Sequence, residues 1–443
     1  MAPGFSKENQ SAAEKAWRFG AFELYPGERL LQRDGLPVAV QPKVLDALLL
    51  LVERAQHLVS KQELMARLWP DVHVSDANLT NTIVALRKLL GRDAVRTISK
   101  YGYRLELPMV GQPGVPRPVY EKFLLARDLI EERSLEKMQA ARDLLWFCLA
   151  EDPAFAAGWA WLGRCCWFLD KFGQHTSVNA ELASAALGRA FALAPDLAEA
   201  HQFYTNLQVD TGSARDAVSR LLARLSGPAR EPEMFAGLVQ ALRFEGLLAE
   251  SMEAHRCAVA LDPATATSVA HTLFLAGDFA SAVEAYTGRS AYYLDAAAWA
   301  ALGLRERAVS LLRQRLDRMA LSTLMAALLR SLMAALEGDR EESVRWMESA
   351  DTTREPEVLF YFARHYAFLT MPERTGEILE SAARAGFVCP PETLRSDPWF
   401  ASLRDSAGFE GTLGQAGTRV ACARSSYARA LGKARALEEL LVR

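Results

Sequence analysis

The residues with the plainest chemical meaning lie on one face of a helical pattern near position 80. Hydrophobic spacing predicts a helix that begins near Ser75-Asp76 and runs Asn78–Leu90 before Gly91 stops it. With Leu79 placed at 0°, Ile83, Leu86 and Leu90 fall within about 40° of it and form an inner stripe. The opposite face then carries Asn78, Asn81, Val84, Ala85 and Lys88. An amide can pair bidentately with adenine and a small apolar group can meet a thymine methyl, so this face suits DNA base edges. Over 87–104, Arg87, Lys88, Arg92, Arg96, Lys100 and Arg104 stand against Asp93 alone, a net of +5. Such a charge suits phosphate binding, although charge by itself fits the solvated face of a small structural domain equally well.

No catalytic pattern competes with this face. The chain has no Gly-rich phosphate loop, no HExxH and no GxSxG. Its six cysteines lie in no CxxC or Cys/His metal spacing, and all six are expected as small buried or half-buried apolar residues of a reduced cytoplasm. His175, His201, His255, His271 and His365 are expected as packing or surface residues, so the reading is a protein without metal, cofactor or enzymatic activity. Two apolar stretches, Val44–Val52 and Leu321–Leu336, are broken by Asp46 and Arg330 and fall short of the ~20 residues a membrane span needs. The N-terminus lacks the apolar run of a secretory signal, and the expectation is a cytoplasmic chain with no membrane partner.

The elements that must hold the face follow from local signals. Short extended candidates are Trp17–Phe19, Phe22–Tyr25, Arg29–Arg33 and Pro37–Val40, the last two joined by the tight-turn pair Asp34-Gly35. A first helix opens at Pro42, and the capping box Ser60-Lys-Gln-Glu63 announces a second. After the third helix, Val95–Ile98 and Tyr103–Leu107 read as a hairpin with Gly102 in its turn and Tyr103 packing it. Strands, three helices and a hairpin are the order of a winged helix-turn-helix. Pro108–Pro118, with four prolines and two glycines, reads as a linker without regular structure.

The stretch Phe19–Leu107, with Leu58-Val-Ser-Lys-Gln-Glu-Leu-Met, Leu68-Trp-Pro, Asn78-Leu-Thr-Asn-Thr-Ile-Val-Ala-Leu-Arg-Lys-Leu-Leu-Gly and Ile98-Ser-Lys-Tyr-Gly-Tyr-Arg-Leu, resembles the OmpR/PhoB-type winged-helix DNA-binding domain, in the branch that stands at the N-terminus of CadC-like regulators. The resemblance implies sequence-specific binding of double-stranded promoter DNA, often by paired domains, hence a homodimer. It implies that Asn78, Thr80, Asn81 and Val84 face bases, and that Arg87, Lys88, Lys100 and Tyr101 meet phosphates or the wing's groove, with Arg96 joining them by its charge. It also implies an RNA polymerase contact in the loop near Trp69, Asp71 and His73. Only sixteen residues precede Trp17, so a fused phosphorelay receiver is not expected.

Beyond the linker the pattern changes to helix, turn, helix. Trp159-Ala-Trp-Leu-Gly163 follows Asp152-Pro153 and resembles the start of a tetratricopeptide repeat. Small residues recur at Ala141, Ala183, Ala217, Ser251, Ala282, Ala308, Ser343 and Gly376, clustering on a 34-residue period. Four places on from each comes a large one, from Leu145 to Glu380. The reading is about seven or eight helical hairpins, with an insertion near Asp170–Asn179 and a shortened unit near Ala297–Ala308. Trp159, Trp161, Trp167, Phe168 and Phe172 read as repeat core or as a ligand groove. Leu394–Arg404 resembles a closing element, and the basic Arg419–Arg443 is expected to cap the last apolar face.

The fold class expected is an α+β winged helix-turn-helix domain, 17–108, a linker, 109–118, an all-α tetratricopeptide-type solenoid, 119–410, and a C-terminal basic helix, 411–443. The function expected is transcriptional regulation, with a protein, peptide or small-molecule effector at the array; the alternative is an interaction scaffold whose winged helix binds protein. The chain's net charge of −3 suits either reading, because it sums +3 over 1–110 and −6 over 111–443.

Overall fold

A computed structural model describes residues 16–19, 21–54, 58–69, 76–92, 94–98, 102–107, 109–111, 117–132, 134–172, 177–226, 231–263, 265–286, 293–318, 323–350 and 355–432, with 436, 437 and 439. The chain divides into two compact units, one made of residues through Asp128 with Asp143–Phe155, the other of Leu129–Arg142 with Ala156–Arg443.

The first unit opens with an antiparallel sheet of β1 (Trp17–Phe19), β2 (Phe22–Tyr25), β3 (Leu30–Arg33), β4 (Leu36–Val38) and β8 (Met109–Gly111), in the order β4-β3-β2-β1-β8. Asp34 and Gly35 both take positive φ in the two-residue turn between β3 and β4, as the dipeptide predicts. Three helices follow: α1 (Pro42–Glu53), α2 (Lys61–Leu68) and α3 (Asp76–Leu90). Ser60 caps α2 through its hydroxyl, which accepts from the Glu63 amide at 3.0 Å. A second sheet, β5-β7-β6, joins β5 (Val59–Ser60), β7 (Gly102–Leu105) and β6 (Val95–Ile98). One core of Phe19, Leu24, Leu31, Leu48, Leu51, Leu64, Leu68, Ile83 and Leu86 lies beneath both sheets.

Two expectations change here. Met109–Gly111 pairs with β1, so the Pro/Gly segment begins as a strand and not as irregular linker, because β1 offers it an edge. Gly102 is no turn residue: it pairs with Ile98 on one side and Ser60 on the other. A Cβ there would strike the Val59 carbonyl, so the crowding is by β5 and the residue has to be glycine.

The helices continue as eight helix-turn-helix pairs: α4 and α5 (Arg117–Glu131, Leu135–Glu151), α6 and α7 (Ala156–Phe172, Ser177–Leu193), α8 and α9 (Ala198–Asp210, Ala214–Leu225), α10 and α11 (Pro232–Phe244, Leu248–Leu261), α12 and α13 (Val269–Leu275, Phe279–Tyr286), α14 and α15 (Leu294–Ala301, Arg305–Arg318), α16 and α17 (Thr323–Glu337, Arg340–Ser349), and α18 and α19 (Pro356–Phe368, Pro372–Ala385). The chain ends in α20 (Pro391–Ser396), a 3-10 turn (Pro398–Phe400), α21 (Ala401–Arg404) and α22 (Phe409–Leu431). The small residues from Ala141 to Ser343 are fully buried, and a Cβ on Gly163 would sit 2.6 Å from Leu187 Cγ, which is the close helix crossing the period predicts. In the last pair the register differs by one residue. Thr375 and Leu379 are buried, while Gly376 faces open space and Glu380 reaches the rim. The long interval after Ala141 goes with 17-residue helices α6 and α7, and the short unit is the eight-residue α14. Trp161, Trp167 and Phe168 are buried repeat core. Five cysteines are buried as expected, but Cys422 is exposed on α22, where only one face is covered.

The second unit coils until late repeats meet early ones, and buried charge joins them. Lys171 reaches Asp210 at 2.9 Å and Glu355 at 3.0 Å, the latter 184 residues away in sequence. Arg243 and His271 both hold Glu357 at 3.2 Å; burial alone raises that carboxyl, but the Arg243 guanidinium and then the His271 ring keep it well below the usual carboxylate range. Arg364 binds Asp397 through two bonds of 2.6 and 3.2 Å, with both groups buried and the guanidinium between Phe274 and Trp399. His365 bonds Tyr293 Oη at 2.6 Å and Ser331 Oγ at 2.9 Å. Burial, aided by Arg364, pushes it down to about 3.

Removing one partner of a buried pair leaves the other charge uncompensated. Asp397→Asn is therefore expected to cost about 3–5 kcal/mol in urea unfolding of the second unit; a loss near zero would mean that Arg364 finds its stabilisation elsewhere. The depressed His365 has a second consequence, because below pH ~6.5 the unfolded chain takes up a proton that the folded chain refuses. Its contribution is present above that pH and falls by about 1.4 kcal/mol per unit on acidification. Unfolding curves between about pH 6.5 and 5 are expected to show a slope lower by about one proton in His365→Gln than in the parent.

Candidate nucleic-acid interface

Helix α3 is held by its inner stripe. Leu79, Ile83, Leu86 and Leu90 are buried against the core shared with α1 and α2, which leaves the other side outward. Asn78, Thr80, Asn81, Val84 and Lys88 are exposed, and Val84 keeps 53% of its surface in water despite being apolar. Ala85 is half-buried and packs on the core, because the stripe is wider than the angular estimate. Thr82 is buried and donates to the Asn78 carbonyl at 2.9 Å. The five outward residues thus share one surface, and an exposed valine among amides and a lysine is the kind of group that meets a thymine methyl in a groove.

Arg87 sits differently from its expected phosphate role. Its Nε donates to the Val95 carbonyl at 2.8 Å and its Nη2 to Thr97 Oγ1 at 2.6 Å, so it bolts the end of α3 to the wing strand β6. Sequence reasoning missed this joint; the available signal was an arginine in the last helical turn followed by an outward threonine on the next strand. Arg96 is exposed on the wing, directly across from Arg104 in the antiparallel register. Arg104 is tied to Glu106 at 2.9 Å, which moderates the repulsion of like charges facing each other. Tyr103 is buried in the wing's packing. Lys100 and Tyr101 lie outside the described residues, as do Asp71 and His73. Trp69 ends α2, half-buried against the core, with its amide donating to Met65 O at 2.9 Å. Lys43 Nζ donates to the Leu68 carbonyl and so closes the C-terminal end of α2.

An exposed polar helix face bolted to a two-stranded wing is the arrangement by which one element enters a major groove and another touches the flanking backbone. Residues 35–105 match the family model described as transcriptional regulatory protein, C terminal. These residues form an OmpR/PhoB-type winged-helix domain of the transcriptional-regulator family. The transcriptional regulator HilA of Salmonella typhimurium is 36% identical over 111 residues, 24% of this chain and 20% of HilA, and HilA of Salmonella paratyphi A matches to the same extent. The chain thus spans one fifth of the length of these relatives. Among solved structures, the DNA-binding domain of E. coli CadC aligns at 24% identity over 22% of this chain and 95% of its own, with a TM-score of 0.20. The P58(IPK) TPR domain aligns at 15% identity over 73% of this chain and 98% of its own, with a TM-score of 0.23. Among the described residues no helix is long and apolar enough to cross a membrane, and no group of three or more His, Cys, Asp or Glu could hold a metal ion.

If Arg87 positions the wing, Arg87→Met should loosen β6 while preserving the stem. The amides of Val95–Ile98 are expected to exchange with solvent about tenfold faster or more, for a loss of about 1–2 kcal/mol in domain stability. Unchanged exchange would return Arg87 to the pool of cations available to phosphate.

Proposed function

We propose that this protein is a sequence-specific, promoter-binding transcriptional regulator whose repeat unit receives a signal or binds another protein. The observation that carries the reading is the uncovered face of α3: Asn78, Thr80, Asn81 and Val84 toward bases, with Lys88 beside them for phosphate and Arg96 on the wing for its backbone contact; the resemblance adds Lys100 and Tyr101 to the wing's part. Amides and a methyl-bearing side chain discriminate base edges, whereas the lysines hold any sequence equally. The resemblance to OmpR/PhoB-type domains is what supports a polymerase contact near Trp69, Asp71 and His73. Pairing of two chains on adjacent half-sites fits a domain that buries so little DNA alone, since single modules of this size cover only about 600–1,000 Å². For the repeat unit, an array that stacks by nearest neighbours presents an extended surface of the kind used for peptide and protein recognition.

The test is binding of the full chain to sites recovered by genome-wide mapping. Asn81→Ala with Lys88→Ala is expected to abolish specific binding while the far-ultraviolet spectrum of the repeats stays intact; Asn81→Ala alone should cost about 1–3 kcal/mol on the preferred site only. Lys88→Ala alone should weaken all sequences alike and reduce the salt slope by about 1. Unchanged affinity of the double variant at matched salt would remove α3 as the reading helix. Binding of the parent that does not weaken with salt would favour a winged helix that docks on protein instead.

A further inference from the structure

Helix α22 lies against α19 and α20 at the end of the array, and it also reaches much earlier helices. It turns back and packs on α9, about two hundred residues earlier, with Val420 Cγ2 lying 2.9 Å from where a Cβ on Gly246 would be. Its apolar stripe, Phe409, Leu413, Ala416, Val420, Ala423 and Tyr427, is buried, and its arginines meet acids on the groove's edges: Arg419 binds Glu380 through bonds of 3.0 and 3.2 Å, and Arg424 reaches Glu250 at 3.1 Å. Both arginines and Glu380 reach solvent, which screens these pairs in part, whereas Glu250 is mostly covered.

The fit is nevertheless imperfect in three independent ways. Gly411, Gly414 and Gly417 lie inside the helix, yet a Cβ on the first two would meet nothing within 4 Å, and on the third only Pro391 Cγ at 3.9 Å. Glycine in a helix interior lowers helix stability, and no close approach requires it at these positions. A cavity of about 40 Å³ remains between α19, α20 and α22, bounded by Leu379, Val388, Leu394 and Ala416 at its floor and by Glu380, Gln415 and Arg419 toward the rim. The Tyr427 hydroxyl and Glu250 Oε2 are buried without a hydrogen-bond partner among the described residues. A helix whose only task was to seal this groove would have alanines, a filled void and a partnered hydroxyl.

We infer that α22 is an exchangeable strap, and that the groove beneath it, floored by α9 and edged by Glu250 and Glu380, is a docking site for an amphipathic helix of a partner protein with an apolar stripe flanked by arginines. The acidic edges and the apolar part of the floor define that chemistry, with Arg215 of α9 neutralised by Glu245 at 2.9 Å, and α22 holds the site in cis until a better-fitting helix displaces it. This inference is independent of DNA binding.

The test uses the full chain with a protease site placed in the turn Asp405–Gly408, cut after folding, and a fluorescein-labelled peptide of residues 409–432 as the probe. The cut chain is expected to keep its helical signal, stay monomeric and take up the peptide saturably, with a peptide carrying Arg419→Glu and Arg424→Glu binding about tenfold more weakly or worse. In the uncut chain, amides of α22 should exchange about tenfold faster or more than those of α10, and Gly411→Ala with Gly414→Ala and Gly417→Ala should slow them. Loss of helical signal on cutting, failure to take up the peptide, or equal protection of α22 and α10 would each show that α22 is an integral part of the core and overturn the inference. Dimerisation of the cut chain through the groove would also overturn it, since the occupant would then be a second copy.

Discussion

Buried charge must be met by opposite charge, and in the repeat unit that requirement falls on α18. This helix and its cap carry Glu355, Glu357 and Arg364 into the interior, where each would cost several kcal/mol unpaired. Their partners lie on α6, α10 and the segment after α20: Lys171, Arg243 and Asp397. The coil can close only if these segments arrive together, so a run of nearest-neighbour repeats becomes an object with one preferred curvature. Apolar packing between neighbours would tolerate a range of superhelical pitch, whereas two-bond contacts such as Arg364 to Asp397 tolerate little. Burial opposes the arrangement throughout. It pushes Glu355 up to about 7 even with Lys171 beside it, which places that end of the network among the first parts to lose charge on acidification.

The head obeys a different constraint. Its domain is small, and one hydrophobic core of α1, α2, α3 and the two sheets supplies most of its stability. The outward face of α3 is therefore not shaped by packing, because the inner stripe and Arg87 fix the helix from behind. Positioning and contact are divided between side chains one turn apart: Ile83 and Arg87 hold the helix, while Val84 and Lys88 are left outward.

What was legible in the sequence is what local physics determines. The Asp34-Gly35 turn, the Ser60 cap, the inner stripe of α3 and the small residues of the repeat from Ala141 to Ser343 each depend on neighbours a few positions away, and each stands where its pattern puts it. What escaped depends on segments far apart in sequence. Gly102 looks like a turn glycine until β5 crosses it, and Arg87 looks like a free cation until Thr97 is folded beneath it. Gly376 mimics the small packing residue because Thr375, its neighbour, does the same work with a hydroxyl bonded back to Met371. Lys171 and Glu355 give no sign of each other across 184 positions, because any acid in the chain would satisfy the same pattern.

The charge of the two parts can be understood in the same terms. The +3 of residues 1–110 is gathered near the wing, while the −6 of the remainder is partly consumed in ion pairs, inside the coil and along its rim. Acids locked in pairs contribute little field beyond the ~8 Å over which physiological salt screens a charge. Arg419 and Arg424 belong to this accounting: paired with Glu380 and Glu250 they are neutralised, whereas on a released α22 they would leave both acids bare on the body.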